Sequence, residues 1–220
     1  MGARDRNMEN ESCQVTEEEK DILQEIMNIA FGKAAADLAE VINIFVVLSV
    51  PNIQLLKGAE LPGYLRDELK DFTDISIVEQ NFRGKFGGSV FLVFPSGAGK
   101  ELISLLDADH ETSFESGAID LLEKETLMEV GNILIGACVG KMSELLDDVV
   151  TYSPPQVVVE NHPHEIIPNN LFNPEYTAIV MKTLFRFDER DVSGFLFLVT
   201  THDSVVWLQK ALARFLEQYE

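Results

Sequence analysis

Basic residues are scarce in this chain. Among 220 residues, 17 are Lys or Arg against 37 Asp or Glu, which leaves a formal net charge of −20. A field of that sign repels nucleic-acid phosphates and anionic lipid headgroups, so nucleic acid is excluded as a partner and proteins offering Lys or Arg are expected. Cysteine is nearly missing as well. Cys13 and Cys138 lie far apart without metal-type spacing, which excludes a disulfide framework and fits a reducing, cytoplasmic setting. No run approaches the ~18 apolar residues that a membrane span requires, so no membrane insertion is expected. The polar first twenty residues hold no apolar signal core, and Arg6 stands where a myristoylation motif wants Ser or Thr. With only 14 Gly and 8 Pro, and 46% of residues hydrophobic, what remains is a globular chain able to bury one substantial core or two fused small ones.

Residues 1–15 are polar and are expected to be disordered. Thr16-Glu17-Glu18-Glu19 then has the pattern of a capping box with acids in the first helical turn. Ile22, Leu23, Ile26, Ile29 and Ala30 recur with helical spacing, whereas Phe45 to Val50 is a β-branched run closed by Pro51. Further strands are predicted around Ile75–Val78 and Gly88–Phe94, a short helix over Ala98–Leu106, and a loop from Asp107 to Phe114. After that loop the pattern restarts.

The restart has a fixed offset. Glu25, Asn28, Gly32, Ser49 and Pro51 reappear 104 residues later as Glu129, Asn132, Gly136, Ser153 and Pro155. A chance amphipathic helix would preserve only apolar periodicity, so polar and special residues held at one offset indicate duplication. Gly88 with Phe91-Leu92-Val93 likewise recurs as Gly194 with Phe197-Leu198-Val199. The residues from 16 to 220 therefore form one domain of two repeats, about 16–112 and 113–220. Strands clustered between helices do not alternate as βαβ units, so the class is α+β, an antiparallel sheet with two long helices stacked on it and a pseudo-twofold axis. Whether the halves share one sheet is left open at this level.

At 100° per residue, Asp21, Glu25, Asn28 and Gly32 fall within a stripe about 60° wide, to one side of the apolar arc. Glu125, Glu129, Asn132 and Gly136 build the same face on the second helix. A carboxylate and an amide one turn apart make a poor nucleophile and base, since Asn neither titrates nor attacks. Phosphoryl transfer to water asks for less, because a carboxamide can orient the water while metal and cations stabilise the charge. No Lys, Arg or metal cage accompanies either pair, so the substrate must be a protein bringing its own.

At these residues the sequence resembles the CheC-type phosphatase family of bacterial chemotaxis, with its CheX and FliY branches. The family motif is Asp or Ser, three residues, Glu, two residues, Asn, twenty-two residues, Pro. Asp21, Glu25, Asn28 and Pro51 satisfy it in full, while the second copy has Glu129, Asn132 and Pro155 at the same spacing with Glu125 in place of Asp or Ser. Met27 stands where a Gly commonly precedes the first Asn; the second copy has Gly131. The resemblance implies hydrolysis of the aspartyl phosphate on a CheY-like response regulator. By it, Asn28 and Asn132 orient water, and Glu25 and Glu129 bind the regulator's Lys. No cofactor is held by this chain, and the regulator supplies Mg²⁺. It also implies, as alternatives, association with a CheD-like deamidase or a homodimer. A noncatalytic adaptor that binds a regulator or flagellar switch component through the same face is the other reading.

Three lesser motifs have structural explanations. Pro95-Ser96-Gly97-Ala98-Gly99-Lys100-Glu101 imitates a phosphate loop, but Phe94 replaces its first Gly and Glu101 its Ser or Thr, so a turn opening a helix is expected. His162-Pro163-His164-Glu165 reads as a surface loop rather than a metal site. Cys138 reads as a buried structural thiol, and Trp207 with the helical run to Leu216 as core or interface.

Overall fold

The computed structural model describes residues 16–42, 45–72, 74–106, 116–160, 177–188 and 192–217. The polar N-terminus with Cys13, the Asp107–Phe114 loop with the repeat boundary, and the His162–Glu165 motif lie outside them. In order, the elements are α1 (Glu17–Ile42), β1 (Val46–Leu48), β2 (Asn52–Lys57), α2 (Leu61–Glu68), β3 (Ile75–Arg83), β4 (Gly88–Pro95), α3 (Ala98–Leu106), α4 (Ser116–Leu145), β5 (Thr151–Tyr152), β6 (Gln156–Glu160), β7 (Thr177–Phe187), β8 (Val192–Thr200) and α5 (His202–Glu217).

The capping box forms as the sequence predicts. The Thr16 N–H donates to Glu19 Oε2 at 2.7 Å and the Glu19 N–H donates to Thr16 Oγ1 at 3.1 Å, which satisfies two amides at the start of α1. The β-branched run after α1 is shorter than expected, because Ser49-Val50-Pro51 interrupts the ladder and a second strand, β2, follows. Pro51 and Pro155 stand immediately before β2 and β6, where a missing N–H costs no ladder bond. Helix α2 is not foreseen by periodicity, since Pro62 and Gly63 near its start read as a turn.

The two halves share one antiparallel sheet of eight strands, and they exchange edges. Strands β1 and β2 of the first repeat pair with β7 of the second, and β5 and β6 of the second pair with β3 of the first, around a centre of β7-β8-β4-β3. Phe91 of β4 lies opposite Phe197 of β8, its own counterpart 106 residues on, so the pseudo-twofold axis passes through that pair. Gly88 and Gly194 flank the axis symmetrically. A Cβ on Gly88 would lie 2.2 Å from the Val199 carbonyl oxygen and one on Gly194 would lie 2.1 Å from that of Val93, so only glycine lets the central strands approach.

One face of the sheet carries the main core. Leu23, Ile26, Met27, Ala30 and Phe31 of α1, and Leu127, Val130, Leu134, Cys138 and Met142 of α4, pack with Val78, Phe82 and Met181 of the sheet, joined by residues of α3 and α5. The other face is covered by α2, whose Leu61 and Leu65 meet Ile77, Val180 and Val199. Both long helices thus lie side by side on one face, with their polar stripes outward.

Candidate functional site

Burial of the apolar arc fixes the rotation of each long helix and so aims its polar stripe. Asp21, Glu25, Asn28 and Gly32 are all exposed on α1, and Glu125, Glu129 and Asn132 are exposed on α4, with Gly136 half-buried. The sequence-predicted residues come together within each helix and face outward. Among the described residues, neither Glu25 nor Glu129 is engaged by a cation, which leaves both carboxylates open to one from outside. A Cβ placed on Gly32 or Gly136 would meet nothing within 4 Å, so internal packing does not require glycine at either place.

The serines and prolines that share the offset of 104 shape the sheet behind each stripe. The Ser49 N–H donates to the Leu184 carbonyl at 2.8 Å and Ser49 Oγ accepts from the Leu184 N–H at 2.9 Å. In the second repeat, the Ser153 N–H donates to the Asn81 carbonyl at 2.9 Å and Ser153 Oγ accepts from the Asn81 N–H at 3.1 Å. Each serine replaces the ladder bonds lost at its strand break. Pro51 is buried and Pro155 half-buried beside them, a structural part rather than a chemical one.

The two sites differ beneath the stripe. Gln80 of β3, 2% exposed, points into the helix-bearing core in line with Val78 and Phe82. Its Nε2 donates to Asn132 Oδ1 at 2.8 Å and to the Ser153 carbonyl oxygen at 2.9 Å, while its Oε1 is buried with no partner among the described residues. Such an orphaned acceptor costs about 1–3 kcal/mol. The ladder registers carry Gln80 onto Thr183 of β7, 103 residues later. Thr183 Oγ1 donates to the carbonyl of Ser49, the counterpart of Ser153. Its one hydrogen is then spent, and among the described residues no hydrogen bond reaches the Asn28 side chain. Gly131 adds to the difference: a Cβ there would lie 2.7 Å from Val78 Cγ1, so α4 rests directly on β3, whereas the equivalent Met27 on α1 is a buried, bulky side chain. Sequence alone does not single out Gln80; the signal that points to it is a lone amide at an inward position between Val78 and Phe82.

The lesser motifs resolve as expected where described. Ser96 and Gly97 form a turn, with Gly97 at φ +81°, that opens α3. Cys138 is fully buried, and burial pushes its thiol well above the usual range, so it is not a nucleophile. Trp207 packs partly buried against the main core. No helix is long and apolar enough to cross a membrane among the described residues.

With this geometry in view, four likenesses bear on the chain. The model of the CheC-like family matches residues 18–54 and 122–159, the two segments that carry the motif helices and the prolines behind them. The CheY-P phosphatase CheC of Bacillus subtilis (strain 168) is 26% identical over 208 residues, covering 90% of this chain and 95% of that protein. Among solved structures, Thermotoga maritima FliY superposes with a TM-score of 0.65 at 21% identity, over 91% of this chain and 98% of that one. FliM in its complex with SpeE from H. pylori gives 0.60 at 10% identity, over 91% and 97%, which at that identity speaks to the fold alone. The CheC-like family model thus matches this chain twice, at the spacing of the internal repeat and once over each copy of the motif, on a fold shared with FliY.

Proposed function

We propose that this protein hydrolyses the aspartyl phosphate of a CheY-like response regulator. The observation that carries the reading is the pair of exposed Glu/Asn stripes, Glu25 with Asn28 and Glu129 with Asn132, each turned outward by a separate buried helix face. The related B. subtilis protein bears the name CheY-P phosphatase, which supports the same substrate class here. In this reading Glu25 and Glu129 bind a Lys of the docked regulator and thereby set the regulator against the helix. Asn28 and Asn132 then hold a water in line with the phosphorus, and the water's attack releases phosphate without a covalent intermediate on this chain. Mg²⁺ bound by the regulator would neutralise charge on the transferred group. The open space over Gly32 and Gly136 suits close approach of a partner backbone along the same stripe.

Phosphate release from a phosphorylated regulator with Asn28→Ala, Asn132→Ala and the double variant tests the proposal. Each single variant is expected to keep part of the rate and the double variant to lose about a hundredfold or more, the scale of removing a group that positions water. A double variant as fast as the wild type overturns the mechanism. Regulator binding by the wild type without turnover would favour the adaptor reading, in which the same acidic face only docks.

A further inference from the structure

The geometry points to Gln80 as the positioning residue of the second site: it locks the carboxamide of Asn132 and makes that site the dominant one, a refinement that rests on the function proposed above. Three features place it. The Ser153 carbonyl can only accept, so Gln80 must turn its NH₂ group toward it, and the second hydrogen of that group meets Asn132 at 2.8 Å. The atom of Asn132 facing a donor must be its oxygen. One backbone carbonyl thereby fixes the orientation of two amides in series, leaving the second lone pair of Asn132 Oδ1 and both of its N–H bonds for a ligand. An amide is also the shortest common side chain with two hydrogens to give. Thr183, in the equivalent place, has one and gives it to Ser49, so among the described residues nothing from the sheet holds Asn28.

The orphaned Oε1 of Gln80 is the second feature. A side chain chosen for core packing alone would not bury an unpaired acceptor among Val78, Phe82 and the α4 side chains, whereas one retained to reach Asn132 must carry that oxygen along. Gly131 is the third: without a Cβ between α4 and Val78, the helix lies close enough for the contact. Gln80 belongs to the first repeat and Asn132 to the second, so the device exists only because the repeats exchange strands. An Asn already held in one orientation needs no further ordering when the regulator docks, and its site turns over faster for that reason.

Two measurements test this on the full chain. In the free wild-type protein, side-chain ¹⁵NH₂ relaxation is expected to show Asn132 ordered and Asn28 mobile, and Gln80→Met, close in volume, is expected to bring Asn132 to the mobility of Asn28. Equal mobility of the two amides in the wild type overturns the proposal, and needs no variant to fold. In phosphate release from a phosphorylated CheY-like regulator, Gln80→Met is expected to lower kcat about tenfold, with KM little changed, in the Asn28→Ala protein that keeps only the second site. In the Asn132→Ala protein the same change has no amide left to position, so the loss should be absent. Equal losses in both backgrounds would mark Gln80 as a packing residue and overturn the proposal. Should neither site release phosphate in the wild type, the phosphatase reading fails on its own account, and the relaxation measurement alone decides the role of Gln80.

Discussion

Gln80 and Thr183 occupy one position of a duplicated fold and differ by a single donated hydrogen, which separates an Asn132 bonded from the sheet from an Asn28 that no hydrogen bond reaches among the described residues. Their neighbour Glu79 shows how the sheet also sets charge. Burial raises the Glu79 carboxyl above the usual range, with its hydrogen bond to Asn81 pulling the other way. The folded state therefore holds this proton more tightly than the unfolded chain does, so stability is greatest below the ordinary glutamate range and falls as pH rises through the raised value. Glu79→Gln removes that loss. Urea unfolding should find the variant more stable than the wild type at pH 7 and the difference gone at about pH 3, below the unfolded pKa. An equal gap at both values would mean that the substitution acts through packing.

At the scale of the element, α4 shows why glycines in one helix are not equivalent. Gly131 faces the sheet, and Gly131→Ala would force its methyl to 2.7 Å from Val78 Cγ1, an overpacking expected to cost about 1–3 kcal/mol. Gly136 faces open space, and Gly136→Ala should add up to about 1 kcal/mol through helix propensity. Chemical denaturation of the two variants checks the opposite signs. Much of this element was legible in advance: the apolar arc of Val130, Ile133 and Leu134 gave its rotation, and Thr16 with Glu19 gave the start of α1, because both signals are local. Helix α2 was not, since Leu61-Pro62-Gly63 carries turn chemistry and the helix forms only against the sheet face of Ile77 and Val180. The break between β1 and β2 was also hidden, because Ser49 makes its replacement bonds to Leu184, a residue of the other repeat.

For the molecule as a whole, duplication brings equivalent residues face to face wherever the pseudo-twofold axis passes. Along the α1 and α4 contact, Asp37 and Lys141 are equivalents 104 apart, and they form a salt bridge at 2.8 Å, with Glu144 beside the same Lys. An exact repeat would have set two like charges together there; divergence made them opposite. The Asp37 partner raises the Lys141 pKa, first through the hydrogen bond. Lys141→Asp restores the symmetric, repulsive pair and should lower Tm more than Lys141→Ala, with the gap shrinking in high salt as the repulsion is screened. Melts at two salt concentrations decide it.

The sequence by itself determined the duplication, the two long helices, the outward Glu/Asn stripes and the resemblance to the CheC-type family, because each is written in spacing along the chain and needs no partner at a distance. Only the tertiary structure decided that the halves form one sheet by exchanging strands, and that Gln80 reaches Asn132 while its counterpart Thr183 bonds to Ser49 instead. Gln80 stands 52 residues from Asn132 in the other repeat, and no local pattern can announce a bond that exists only after β3 has been laid beneath α4. The paired motifs therefore share their Glu, Asn and Pro and differ in support.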